Sequence, residues 1–320
     1  MGHDLFASVV GYEDPDIVET VESLVEDPGM SVHVAVVLQS DDDKIARHLW
    51  QMPEVDLVHL PSHKARGVGW ARALAQTMYE QEEYYYQTDS HANFYPHWAA
   101  DLATMHERLG GMNVISTYPR SRECVTTTEV TVIEPFQWGD IGLQGRCQDY
   151  HRDIFDNKPI RARLVAGGHL FANGRFVMDV PYDPHIYFGG EEFSLAIRAF
   201  TQGYRLWHPA KTVCCHLYDL ENKRGRVWEN DEEWWMRDLH SKRRIAAMLN
   251  WPPVGYYPPL GIYGLGTVRT MAEYEDYAMC SIFDRTFEAD SDWRGLDNEA
   301  IQHRNVAVEG HPNTVKWDLL

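Results

Sequence analysis

The sequence predicts an α/β fold built around a largely parallel sheet, and three observations carry the prediction. Short apolar runs alternate with segments of helical period from residue 5 to about residue 119. Pro, Gly and Asp punctuate most of the junctions, and 44% hydrophobic residues in a chain of 320 supply a large core, for one domain or for a domain with an appendage. Strands that alternate with helices imply βαβ crossovers, and ligands of such sheets collect at the carboxyl ends of the strands.

The elements follow in order. LFASVV (5–10) is an apolar run that stops at Gly11. In EDPDIVETVESLVEDPG, Asp14 is placed to cap, Pro15 suits a first turn, Ile17, Val18, Val21, Leu24 and Val25 share one helical face, and Gly29 ends it. VHVAVVLQ and VDLVHLP read as the next two strands. GVGWARALAQTMYEQ repeats Trp70, Leu74 and Met78 at helical spacing, and residues 84–88 of YYYQTDSHANF form a further strand. PHWAADLATMHERLGG is a helix bounded by Pro96 and by Gly110 and Gly111, followed by the strand NVISTYP. Residues 123 to 165 show no clear period and are expected to hold strands and loops in unspecified order. FVMDVPYDP is expected to be extended, Phe193 to Gln202 helical with Gly203 as its stop, and the approach to Cys214 a strand.

Composition shifts beyond residue 220, which divides the chain into a main domain, 1–220, and a C-terminal extension, 221–320, packed on it. KRGR and SKRR bracket VWENDEEWWMRD, where Trp228, Trp235 and Met236 are spaced to pack on the main domain; WPPVGYYPPLGIYGLG reads as a loop-like bridge. The basic runs Lys223 to Arg226 and Lys242 to Arg244 are expected on the surface.

Charge and cysteine content narrow the function. A formal net charge of -19 repels nucleic acid and anionic membranes unless a local basic patch exists. Cys124, Cys147, Cys214, Cys215 and Cys280 are odd in number and unpatterned, unlike a disulfide framework. MGHDLFASVV has no basic region leading into a long apolar run, and no window resembles a spanning helix. The expectation is a soluble cytoplasmic protein with no membrane partner.

The chemistry begins at Asp89-Ser90-His91. Residues two apart in an extended segment point the same way, so Asp89 and His91 can offer an oxygen and a nitrogen to one point. That suits a divalent ion such as Mn2+ or Mg2+ with positions left for a diphosphate. The same three residues are also ordinary turn chemistry after a strand.

LFASVVGYEDPDIVETVESL, ARGVGWARALAQ, YYYQTDSHANF, DPHIYFGGEEFSLAIRAFTQGYRLWHP and YGLGTVRTMAEYE, in that order, resemble the cytoplasmic hydroxyproline N-acetylglucosaminyltransferases. The matched segments span most of residues 5 to 277, with 120–165 weakly matched. The resemblance implies the GT-A fold, a Rossmann-like nucleotide-diphospho-sugar transferase fold, whose strand-end Asp-x-His holds a metal against the donor diphosphate. The donor it implies is UDP-GlcNAc. The mucin-type N-acetylgalactosaminyltransferases are similar in pairing Asp-Ser-His with a later histidine, which makes His216 in TVCCHLY the third ligand, as opposed to a core histidine.

Other residues take expected roles around that centre. Arg66, Gly67 and Arg72 lie where a loop turns into a helix, so N–H groups and guanidinium forks can meet a phosphate. In the implied fold Tyr12 and Glu13 follow the first strand, where the base is seated, and Tyr12 can stack on it. Gly189 and Gly190 allow close approach to a sugar, and one of Glu191 and Glu192 is expected to act on or orient the acceptor, since neighbours on a helix diverge by about 100°. Asp183, in PYDP, can bind a sugar hydroxyl or close its turn. The sequence thus predicts transfer of a sugar from a nucleotide donor to a hydroxyl acceptor, a protein or peptide being favoured. A phage-type enzyme acting on hydroxymethylated pyrimidines in DNA is the alternative enzyme, and an inactive nucleotide-sugar-binding module the alternative of another class.

Overall fold

The computed structural model describes residues 3–124, 128–151, 158–218, 224–252, 257 and 259–288. Lys223, residues 253–256 and 258 of the Pro-, Gly- and Tyr-rich stretch, and the end of the C-terminal extension beyond residue 288 lie outside the described residues.

The N-terminal part is β1 (Leu5–Tyr12), α1 (Ile17–Glu26), β2 (Val32–Gln39), α2 (Asp43–Leu49), β3 (Val55–Leu60), α3 (Val68–Gln76) and β4 (Tyr84–Asp89), the expected alternation with one helix, α2, that the sequence reading did not include. β1 lies between β2 and β4 and is parallel to both, and β3 extends the sheet beyond β2. β1 and β2 are covered on both faces, which is why their sequences are nearly continuous apolar runs.

The middle of the chain continues with β5 (Ala92–Phe94), α4 (Trp98–Leu109), β6 (Asn113–Ser116), β7 (Arg120–Ser121), β8 (Glu129–Gly139), β9 (Gly142–His151), β10 (Ile160–Arg161), β11 (His169–Asn173) and α5 (Phe176–Asp179). After these come α6 (Glu191–Thr201), β12 (Arg205–His208), β13 (Cys214–His216), α7 (Val227–Asn230), α8 (Trp234–Met248), α9 (Met271–Ala278), β14 (Cys280–Ser281) and β15 (Thr286–Phe287). Among the described residues, eight strands form the main sheet in the order β10-β12-β6-β11-β4-β1-β2-β3.

The sheet is mixed, because β11 runs antiparallel to both β4 and β6. This corrects the expected strand in FVMDVPYDP: the strand is the preceding HLFAN, and FVMD winds into α5. Phe176, Val177 and Val180 enter the core from a single turn, and Val180 N donates to Phe176 O at 2.9 Å. Residues 129–151 form a long hairpin, β8 with β9, whose register shifts between Pro135 and Gln137. Proline has no N–H for the ladder, and the resulting bulge breaks the two-residue period.

Helices cover both faces. One core cluster packs α1, α2 and α4 on the sheet, and a second packs α3, α5 and α6 on the other face. A third joins the hairpin and α6 to α8 and α9 through Ile133, Phe193, Ile197, Ile245, Met248 and Tyr274. It crosses residue 220, and each large side chain buried there contributes roughly 1.5–3 kcal/mol. The face of α8 that packs is Ser241, Arg244, Ile245 and Met248, not the tryptophan face: Trp235 is 55% and Met236 44% exposed. Among the described residues, no helix is long and apolar enough to cross a membrane.

Candidate functional site

β4 delivers Asp89 to the carboxyl edge of the sheet, in register with Val10 of β1. The chain turns at Ser90, presents His91 and enters β5. β13 then pairs antiparallel with β5, with His216 opposite Ala92, so a histidine far along the chain arrives beside the turn. His216 Nε2 is 3.2 Å from Asp89 Oδ2, and His91 Nε2 is 4.0 Å from the same oxygen. The two imidazoles stand edge-on with centroids 4.5 Å apart.

Each ligand candidate has its own support. Arg72, fully buried on α3, donates from Nη2 to Asp89 Oδ1 at 2.9 Å and from Nη1 to Thr88 O at 3.3 Å. Burial alone would favour protonated Asp89, but the His216 hydrogen bond, the adjacent His91 and the Arg72 guanidinium outweigh it and hold Asp89 well below the usual carboxylate range. Asp14, 2% exposed, accepts from His91 Nδ1 at 2.7 Å and from Ser90 Oγ at 2.6 Å. Burial and the neighbouring His91 push His216 down to about 4, so this imidazole is neutral at neutral pH.

These residues fit a divalent cation. One carboxylate oxygen and two imidazole nitrogens lie within 4.8 Å of one another, a donor set for a hard or borderline ion such as Mn2+. A carboxylate only accepts, so Asp14 fixes the hydrogen of His91 on Nδ1 and leaves the Nε2 lone pair facing Asp89 and His216. Gly168 lacks a side chain where a Cβ would overlap Asp89 Oδ2, which keeps the carboxylate in place.

The two glutamates of FGGEE separate cleanly. Glu192 is committed: Oε1 accepts from Gly167 N at 2.8 Å and Oε2 from the Tyr118 hydroxyl at 2.5 Å. Glu191 has a buried Oε2 without a partner. Burial pushes the Glu191 carboxyl up to about 8; Arg72 opposes the shift, and Glu192 and Asp89 add to it. Glu191 is therefore the less engaged of the two carboxyls, and neither lines the neighbouring cleft.

A cleft of about 290 Å³ opens beside the Asp-His-His cluster. Tyr12 and Gly67 line it, together with Gln39, Phe188 and Trp228. Gly67 adopts φ +91°, and a Cβ there would overlap Tyr187 O, so only glycine admits this approach of chain 186–188 to α3. The segment from Arg224 to Asn230 crosses the cleft. Arg224 Nη2 meets Asp16 Oδ2 at 2.5 Å and its Nε meets Asp14 Oδ1 at 3.3 Å, while Asn230 donates to the Tyr12 hydroxyl at 2.9 Å.

Other expected residues sit elsewhere. Arg72 lies behind Asp89, not in the cleft. Arg66 is exposed, with its guanidinium 5.7 Å from the Trp70 ring centre. The Glu13 carboxylate accepts from Asp41 N and Ser40 Oγ. Gly189 and Gly190 face Ile141 at the tip of the β8–β9 hairpin. Asp183 is 4% exposed and occupied: Oδ2 accepts two bonds from Arg244, at 2.7 and 2.8 Å, and Oδ1 accepts from His185 N. Sequence reasoning gave Asp14 only a capping role, whereas Asp16 is the N-cap residue and Asp14 serves His91. The available signal was an acid just past the end of β1, on the edge where ligands collect.

A family model described as Glycosyltransferase (GlcNAc) matches residues 34–283. The chain belongs to this GlcNAc glycosyltransferase family. Among solved structures, GalNAc-T7 with UDP, GalNAc and Mn2+ superposes with a TM-score of 0.53 at 14% identity, over 97% of this chain and 58% of that one. The chain thus spans less than two thirds of GalNAc-T7. TarS 1–349 of S. aureus, in complex with UDP-GlcNAc, superposes with a TM-score of 0.50 at 16% identity, over 78% of this chain and 67% of that one. Both likenesses are of fold, and the fold is GT-A. No curated protein sequence matches the chain.

Proposed function

We propose that the protein transfers N-acetylglucosamine from UDP-GlcNAc to an acceptor hydroxyl, with Mn2+ or Mg2+ held by Asp89, His91 and His216. The observation that carries the reading is the convergence of these three side chains at the strand edge of a cleft in a GlcNAc-family glycosyltransferase. The UDP-GlcNAc in TarS and the UDP and Mn2+ in GalNAc-T7 support the choice of donor and ion.

When bound, the ion offsets the negative charge that grows on the departing diphosphate. The chain's own residues prepare for that. Arg72 and Asp14 fix Asp89 and His91 before any donor arrives, so no reorganisation is needed during transfer. In this reading Glu191, close to Arg72 and Asp89, is the carboxyl that orients or deprotonates the acceptor hydroxyl. The segment across the cleft, with Trp228 against Phe188 at 4.9 Å between ring centres, helps exclude water from the reacting bond.

The acceptor in this reading is a polypeptide hydroxyl, hydroxyproline in particular, and the compartment is the cytoplasm. The resemblance to hydroxyproline transferases supports the first, and the thiols of Cys214, Cys215 and Cys280, none in a disulfide, accord with the second. Transfer from a panel of nucleotide sugars to a hydroxyproline peptide and to hydroxymethylpyrimidine DNA, each across a salt series, tests the proposal. Transfer of GlcNAc to the peptide with little salt dependence is expected. Transfer to the DNA alone, weakening steeply with salt, would assign the acceptor to nucleic acid.

A further inference from the structure

α8 buries one face and leaves another without a partner among the described residues. Ser241, Arg244, Ile245 and Met248 pack on the main domain, while Trp235 is 55%, Met236 44% and Leu239 42% exposed. At about 100° per residue, these three and Arg243 fall within one arc of roughly 100°, so they form a stripe along the helix. Large apolar side chains gathered on one exposed face mark an interaction surface, whereas scattered ones do not.

The charges around the stripe say what it fits. A formal net charge of -19 sets most of the surface against a second copy of the chain, and the stripe escapes that repulsion. Arg237 pairs with Asp231 and Glu233, Lys242 with Asp238 and Arg244 with Asp183, so these cations are engaged within the chain. Two charges at the ends of the stripe are not. Glu232, in the turn that leads into α8, and Arg243 are exposed and form no ion pair among the described residues. They lie on opposite sides of the midpoint between Met236 and Leu239, each about 8 Å away at 1.5 Å per residue. A two-fold axis through that midpoint, with the helices antiparallel, sets Glu232 of each copy against Arg243 of the other and Met236 against Leu239. The stripe is therefore complementary to itself, as a two-fold contact requires.

We propose that the protein associates into a two-fold dimer through this face of α8, with two reciprocal Glu232–Arg243 pairs setting the register. Trp, Met and Arg are among the residue types that interfaces favour, and binding energy concentrates on such aromatic anchors. Trp235 to Arg243 spans only about 12 Å of helix, so association in the micromolar range is expected.

Sedimentation equilibrium of the full chain up to about 100 µM is the test. The wild type should show a monomer–dimer equilibrium, which Leu239→Glu weakens at least about tenfold by setting two carboxylates in an apolar seam. Glu232→Arg and Arg243→Glu each place like charges opposite one another at both ends and should weaken association several-fold at low salt. The double variant inverts both pairs and should restore it. Circular dichroism checks that each variant is folded. A wild type that stays monomeric at every concentration would overturn the proposal, as would association that survives Leu239→Glu unchanged or a double variant no stronger than the singles. Should Leu239→Glu fail to fold, the wild-type equilibrium and the charge reversals decide the point.

Discussion

Asp14 Oδ2 lies 2.7 Å from His91 Nδ1, and this one contact decides which nitrogen of His91 faces Asp89 and His216. Loss of such an outer carboxylate costs metal sites about 10- to 100-fold in affinity. Asp14→Ala should weaken Mn2+ binding by that factor, and Asp14→Asn, which keeps an acceptor oxygen, should recover part of it. Titration followed by the spectrum of free Mn2+ measures both. Equal wild-type affinity in the two variants would mean that His91 needs no orienting partner.

Glu191 and Glu192 should part company on conversion to Gln. Glu191→Gln preserves shape and is expected to lower turnover about 100-fold or more with little change in melting temperature. Glu192→Gln replaces an acceptor of either the Tyr118 hydroxyl or Gly167 N and should cost about 1–3 kcal/mol of stability. Turnover assays paired with thermal melts separate the two, and near-normal turnover by Glu191→Gln would remove it from the reaction.

His169 links pH to stability. The imidazole titrates near 6.5 when unfolded, and burial pushes it down to about 3 in the folded protein. Between these values the unfolded chain binds a proton that the folded chain refuses, so stability falls as pH drops below 6.5, by up to about 1.4 kcal/mol per pH unit from this group. His169→Gln can still accept from the Tyr86 hydroxyl, which lies 2.6 Å from His169 Nδ1, but cannot titrate. Urea unfolding at pH 7, 6 and 5 should give the variant a shallower loss than the wild type. Parallel slopes would show that His169 does not supply the acid sensitivity.

The legible parts of the molecule were those that local chemistry fixes. The strand-helix alternation through α4 follows from buried apolar runs and from punctuation by Pro96 and Gly110. Asp89 and His91 showed themselves by a two-residue spacing at a strand end. The rest depends on pairings between distant segments. His216 stands 127 residues from Asp89, and only the β5–β13 pairing brings it there; the sequence suggested it through resemblance alone. β11 is buried on both faces, so HLFAN carries no sign that it runs antiparallel. Asp14 and Gln39 look like a turn residue and a strand end until the cleft is seen. Asp183 stood in a promising loop, yet Arg244 on α8 occupies it.

The central claim is that Asp89, His91 and His216 together hold an ion required for transfer, and release of UDP from UDP-GlcNAc measured in Mn2+ and in EDTA tests it most directly. The wild type should turn over in Mn2+, stop in EDTA and recover when the ion is restored, while Asp89→Ala, His91→Ala and His216→Ala remain folded and inactive. Undiminished UDP release in EDTA, or from any of the three variants, would contradict the account.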